Sequence, residues 1–181
     1  MLFFCQPGRV CSDSTWGGQT ATHQPQPVQR VVSMTGRDLR SVAMALLCRS
    51  MQDDIPTLRR ILARDRTIAV VGLSAEWHRP SYFAAKYMQE RGYRIVPVNP
   101  RYPEILGEKS YARLEDIPFP VDMVDVFRKV EEIPAIAKSA VAIGAKTLWQ
   151  QLGLMSEEAD RTATEAGLDS VWDRCVKIEH A

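Results

Sequence analysis

No pair of cysteines in this chain stands at metal-binding spacing: Cys5, Cys11, Cys48 and Cys175 are scattered, with no Cys-x-x-Cys and no neighbouring histidine. That excludes the usual zinc arrangements and a disulfide framework, and makes a reducing cytoplasm the natural compartment. Long apolar runs are missing too. The longest near the start, Val42 to Cys48, falls far short of the roughly 20 residues that cross a bilayer, so no membrane partner is expected. Nor is charge of either sign in excess. A formal net charge of +1 gives no electrostatic reason to bind nucleic acid, and the expected partner is a small molecule. What remains is an ordinary globular composition, 45% hydrophobic and 25% charged over 181 residues, enough for one domain with an appendage.

Residues 1–50 contain no lysine, have only Asp13 and Asp38 as acids, and hold three of the four cysteines. Gln24-Pro25-Gln26-Pro27 and Trp16-Gly17-Gly18 break any helical or strand period, leaving little burial to offset the entropy of ordering. The segment is read as a disordered or mis-started extension, with Met51 the preferred start and Met34 another candidate. Its acid-poor, arginine-bearing composition also fits an organelle transit peptide or an ordinary tail. The folded domain is placed at 51–181.

From Asp53 the pattern changes. Asp53-Asp54 precedes Pro56, and Leu58, Ile61 and Leu62 recur at helical spacing, which predicts a short leading helix. Thr67-Ile-Ala-Val-Val-Gly72 is a continuous apolar run ending in glycine, the pattern of a strand buried on both faces. Pro80 to Arg91 places Phe83, Ala84, Tyr87 and Met88 on one helical face and stops at Gly92. Further strands are expected at Arg94–Val98, Val121–Phe127, Thr147–Gln150 and Asp169–Trp172, separated by helices at Ile133–Ile143 and Ser156–Ala166, with Ser156 as an N-cap. Alternating strands and helices imply an α/β fold: a Rossmann-type, doubly wound, mainly parallel five-stranded sheet with helices on both faces. Ligands of such sheets bind outside the carboxyl ends of the strands, where strand order reverses. Chemistry is therefore expected after Gly72, Val98, Phe127 and Gln150.

The loop from Gly72 to Ser81 would meet a phosphate at the positive end of a helix dipole. Gly72 permits close backbone approach, Ser74 and Ser81 offer hydroxyls, and Arg79 offers a guanidinium fork. The bland alternative is a tight turn at Gly72 and a solvated charge at Arg79. Two features of dinucleotide sites are missing. Ser74 stands where Gly-x-Gly-x-x-Gly requires its second glycine, and the second strand ends Val98-Asn99-Pro100-Arg101 with no carboxylate before Glu104. That weakens NAD as a ligand, and NADP less so, because Arg101 could face an added phosphate.

Five runs, in order, now carry a family likeness: Val70-Val-Gly-Leu-Ser, Arg79-Pro-Ser-Tyr82, Val96-Pro-Val-Asn-Pro100, Val121-Asp-Met-Val-Asp-Val-Phe-Arg128 and Trp149-Gln-Gln-Leu-Gly153. The chain resembles the small CoA-binding proteins related to the nucleotide-binding domain of the succinyl-CoA synthetase alpha subunit, over about Thr67 to Glu179. The resemblance implies a coenzyme A site. In it Gly72, Leu73 and Ser74 wrap the pyrophosphate, and Arg79, Pro80 and Ser81 open the phosphate-facing helix. Val98 ends the second strand, Asn99, Pro100 and Arg101 border the adenosine end, and Arg128 and Gln151 line the remaining edge. The synthetase subunit continues into a domain bearing a phosphorylated histidine, whereas this chain ends at His180-Ala181, so acyl-CoA-forming chemistry is not expected.

Residue by residue, no catalytic constellation emerges. Glu76 stands where a nucleophile elbow at Ser74 needs its closing glycine. His78 is a lone loop histidine, and Asp122 and Asp125, three apart, fall on opposite faces of a strand. Cys175 reads as structural, with a mixed disulfide to a bound thiol as the alternative, and Trp149 and Trp172 as core and rim packing rather than a base-stacking platform. No metal site is expected. The resulting expectation is a non-catalytic CoA or acyl-CoA binding module, pairing with itself or docking beside an enzyme. The alternative is an NADP-dependent Rossmann-type oxidoreductase.

Overall fold

The structure, a computed structural model, describes residues 54–181; the readings made for residues 1–50 and for Met51 as a start lie outside them. Chain order runs α1 (Ile55–Arg64), β1 (Thr67–Val71), α2 (Pro80–Glu90), β2 (Arg94–Val98), a hairpin of β3 (Glu104–Ile105) and β4 (Glu108–Lys109), then β5 (Met123–Val126). It continues with α3 (Ile133–Ala142), β6 (Thr147–Gln150), α4 (Glu157–Glu165), β7 (Asp169–Val171) and α5 (Val176–His180). The main sheet has five strands in the order β2-β1-β5-β6-β7. Every pairing in it is parallel.

The period of two in β1 decides the layers. Ile68 and Val70 pack with Leu58, Ile61 and Leu62 of α1, Ala84, Ala85 and Met88 of α2, and Val176 of α5. Ala69 and Val71 point the other way, into Ile133, Ala137 and Ala140 of α3 and Ala159 and Ala163 of α4. A strand apolar on both faces thus demands helices on both sides, which is what its unbroken hydrophobic run implies. The alanine faces of α3 and α4 bring those helices close to the sheet and to each other.

Helix boundaries follow the local chemistry. Pro56 and Pro80 sit in first turns, where a missing amide costs nothing. Ser156 caps α4, its Oγ accepting from the Ala159 amide at 3.4 Å, with Glu157, Glu158 and Asp160 favouring the positive end of the helix dipole. Gly92 and Gly167 take positive φ just past α2 and α4. Four details differ from the sequence expectation. Phe83 is 48% exposed, because α2 buries Ser81, Ala84, Ala85 and Met88 instead. The third core strand is shorter than Val121–Phe127, since Asp122 turns its carboxylate to the β1 backbone. The hairpin and α5 were not anticipated; the hairpin turns through Leu106 (φ 57) and Gly107 (φ 77), a left-handed pair suited to a two-residue turn.

Polar groups pin the amino ends of the strands. Asp122 Oδ2 accepts the amides of Arg66 and Thr67, each at 3.0 Å, and its Oδ1 accepts Lys146 Nζ at 2.7 Å. Those donors outweigh burial and hold its carboxyl below the usual range. Asp65 is fully buried. It accepts Arg64 Nε at 2.6 Å and Thr147 Oγ1 at 2.6 Å, while Arg64 also donates to Asp169 at 2.8 Å. Asp65 thereby joins α1 to β6, and Arg64 carries the link on to β7. Removing Asp65 would leave Arg64 Nε and the buried Thr147 hydroxyl without their acceptor, with Asp169 still holding the far side of the guanidinium. Asp65→Ala is expected to lower unfolding free energy by about 2–3 kcal/mol, measured as the shift in urea midpoint at constant slope.

Candidate functional site

The strand order places a crevice. From β1 the chain steps outward to β2, then returns past β1 to β5 on its other side. The crossovers diverge between β1 and β5, and a doubly wound sheet opens at that point on its carboxyl edge. The loops leaving β1, β2, β5 and β6 all end there.

Gly72 governs the first of these loops. Its φ is +86°, and a Cβ on it would lie 2.7 Å from Arg128 Cδ and 2.8 Å from the Phe127 carbonyl oxygen. Both the backbone conformation and the space exclude any side chain. Beyond it the Leu73 side chain is fully buried. The amides of this stretch are partly spent on the protein: Gly72 N donates to Val98 O at 3.0 Å, and Ser74 N donates to Ser81 Oγ at 3.2 Å. The expected wrapping of a pyrophosphate by Gly72, Leu73 and Ser74 therefore does not draw on those two amides. Ser74 Oγ accepts the Glu76 amide at 3.1 Å and keeps its own proton to donate. Arg79 occupies the N-cap position of α2 with extended backbone, followed by Pro80 in the first turn. Its guanidinium is exposed and bonds Glu76 Oε2 at 2.9 Å.

Asn99 ties the second loop to the first. Its Nδ2 donates to Leu73 O at 2.8 Å and its Oδ1 accepts the Arg101 amide at 3.0 Å. The Asn99 side chain is thus a staple between loops, and Pro100 and Arg101 are left exposed beside it. Val98 is buried and enters only through its carbonyl. On the third loop, Arg128 lays its stem against Gly72 and donates from Nε and Nη2 to Glu132 Oε2 at 2.9 and 2.7 Å. Gln151, on the fourth, is buried and turned inward, its Nε2 donating to Asp125 Oδ1 at 2.7 Å. Gly72, Leu73, Ser74, Arg79, Ser81, Asn99, Arg101 and Arg128 are therefore brought together through these bonds and contacts. Gln151 joins them from beneath, as support for the strand end.

Asp125 is the group that sequence reading undervalued. It sits near the carboxyl end of β5, between Val70 and Trp149 in register, and is 2% exposed. Burial pushes its carboxyl up to about 7, against the lowering effect of the Gln151 and Val126 hydrogen bonds. Asp122 and Asp125 do fall apart, one at the amino edge in contact with Lys146 and the other inside. His78 pairs with Glu76 at 3.3 Å rather than with Ser74. Trp149 is core, its Nε1 donating to Arg174 O at 2.7 Å, and Cys175 is half-buried at the start of α5. Glu76 and Glu132 were missed as partners of the loop arginines, although their spacings of three and four from Arg79 and Arg128 were readable. Gln150, fully buried, uses Oε1 to accept the Ser156 amide at 2.9 Å, while its Nε2 has no partner.

Two expectations arise from this geometry. Gly72→Ala forces a side chain into left-handed backbone against a carbonyl, and should destabilise the fold by about 2 kcal/mol or more, read from thermal unfolding. For Asp125 the folded carboxyl titrates near 7 against 3.8 for the unpaired group, so between those values the native state binds more protons than the unfolded state. Stability therefore falls as pH rises through that window. Asp125→Asn should flatten the dependence, raising the melting temperature at pH 8 relative to the parent while changing it little at pH 4.5.

Comparison with known proteins points the same way. A model of the CoA binding domain matches residues 66–181. The uncharacterized protein YneT of Bacillus subtilis (strain 168) is 42% identical over 124 residues, spanning 68% of this chain and 92% of YneT. A solved structure of a hypothetical protein from Pyrococcus horikoshii OT3 superposes with a TM-score of 0.70 at 38% identity, covering 72% of this chain and 92% of that one. The ADP-forming acetate–CoA ligase II of Archaeoglobus fulgidus is 29% identical over 111 residues, which span 60% of this chain but 16% of the ligase. The matched residues run from the entry of β1 to the end of α5 and take in every loop of the crevice, and on that extent the chain belongs to the CoA-binding domain family.

Proposed function

We propose that this protein binds coenzyme A or an acyl-CoA at the carboxyl edge between β1 and β5, and carries out no chemical step of its own. One observation carries the reading. Three exposed arginines, Arg79, Arg101 and Arg128, rise from three different loops that are bonded to one another through Gly72, Asn99 and Leu73. CoA carries a diphosphate and a separate phosphate on its adenosine, so its anionic groups are spread along the molecule. Cations spread over neighbouring loops match that distribution better than a single phosphate cradle does. Arg79, with Pro80 and Ser81 at the head of α2, suits the diphosphate, aided by the helix dipole and the Ser74 hydroxyl. Arg101 beside Asn99 and Pro100 suits the adenosine phosphate, with no carboxylate in that turn to hold a free ribose diol.

The non-catalytic part rests on where the reactive groups are engaged. Ser74 Oγ takes the Glu76 amide, His78 takes the Glu76 carboxylate, and Asp125 is shut inside with Gln151. Ser74 and His78 thus each bond Glu76, one its amide and the other its carboxylate, rather than each other, whereas covalent catalysis couples nucleophile and base directly. The module would hold or deliver its ligand, alone, as a pair, or beside an enzyme that does the chemistry.

Calorimetric titration tests the reading. CoA should bind and NADPH should not, and dephospho-CoA should bind about tenfold more weakly than CoA. Arg101→Ala should weaken CoA by about tenfold and leave dephospho-CoA unchanged. Tight NADPH binding, with CoA inert, would transfer the site to an NADP-dependent oxidoreductase.

A further inference from the structure

We propose that the site carries its own counter-anions: Glu76 and Glu132 occupy Arg79 and Arg128 in the ligand-free protein, compete with ligand phosphates for those guanidiniums, and so set the affinity. This rests on the CoA reading and adds to it how the arginines' charge is balanced within the protein.

Each pair is presented by a turn rather than by chance side-chain reach. The Glu76 amide bonds Ser74 Oγ at 3.1 Å, and the Glu76 carbonyl accepts the Arg79 amide at 3.0 Å. That brings the carboxylate to Arg79 Nε at 2.9 Å, and His78 Nε2 approaches the same oxygen at 3.3 Å. Arg79, by its hydrogen bond and its charge, holds the Glu76 carboxyl below the ordinary range, so the pair is engaged as an ion pair near neutrality. On the facing loop the Glu132 amide bonds Lys129 O at 2.9 Å. Its Oε2 then takes two donors of Arg128, whose stem is fixed against Gly72. Arg79, assigned to the diphosphate, and Arg128, packed against Gly72 beside it, are both paired, each by a glutamate from its own loop.

Relative strength decides what such pairs do. The side chains involved are 41–59% exposed, and pairs that wet are worth no more than about fivefold in an equilibrium constant. A phosphate–guanidinium contact is worth about tenfold or more. The glutamates are therefore displaceable competitors. They satisfy the arginines when the crevice is empty, yield to a diphosphate, and disfavour weaker, singly charged anions that cannot outbid both. After displacement they remain nearby as like charges, which subtracts further from ligand affinity.

Titration of CoA into the full-length protein and its variants tests this. Glu76→Gln and Glu132→Gln should each tighten CoA about threefold to tenfold, and the double variant should approach the product of the two. In an Arg79→Ala background the Glu76→Gln gain should shrink to less than about twofold, because the competition has lost its object. If the parent binds CoA and the Gln variants bind equally or more weakly, the glutamates position the arginines, and the inference fails while the CoA reading stands. A gain that persists undiminished without Arg79 is a general charge effect and overturns it too. If neither parent nor double variant binds CoA at millimolar concentration, the CoA reading falls and the inference with it.

Discussion

β1 is hydrogen-bonded on both sides and buried on both faces, and the chain makes a reversal at its carboxyl end. Gly72 makes that reversal, at φ +86° and with a carbonyl oxygen and an arginine methylene where a Cβ would go. The rest of the crevice follows from this close contact. Because Gly72 has no side chain, the exit of β5 at Phe127 and Arg128 lies directly against the exit of β1. Asn99 then reaches from the end of β2 to Leu73 O and completes a set of three loops. Their polar groups are held by bonds within the protein before any ligand arrives. Such preorganisation lowers the ordering cost of binding.

The two ends of the sheet spend their polar residues differently. At the amino edge Asp65 and Asp122 are fully supplied with donors and join helix to sheet, which is a stability role. At the carboxyl edge exposed arginines pair with glutamates of their own loops, neutral side chains join one loop to the next, and one acid is kept from full ionisation by burial. The buried acid costs stability as it ionises. The Asp65 network ties the amino end across three elements, while the Gly72 contact and the Asn99 bond to Leu73 O hold the loops of the carboxyl end.

Much of the architecture could be read without coordinates. The apolar run Ile68–Val71, the proline and glycine bounding α2, and Ser156 ahead of α4 each express a local rule of periodicity or capping that the structure obeys. The crevice loops were legible for the same reason, since parallel topology alone puts them on one edge. Phe83 was misplaced because its helical face depends on which side of α2 meets the sheet. The hairpin was missed because strands of two residues carry no period.

By itself, then, the sequence determined the order and kind of the elements, the sheet's two-sided burial and which loops share its carboxyl edge, because those follow from neighbours along the chain. Only the tertiary structure decided how the groups on that edge are used. The Ser74 amide turns to Ser81, Asn99 joins two loops, Arg128 lies over Gly72, and Gln151 reaches back to Asp125 across a parallel register. These are contacts of orientation between segments distant in the chain, and they come into being only when the strands pair.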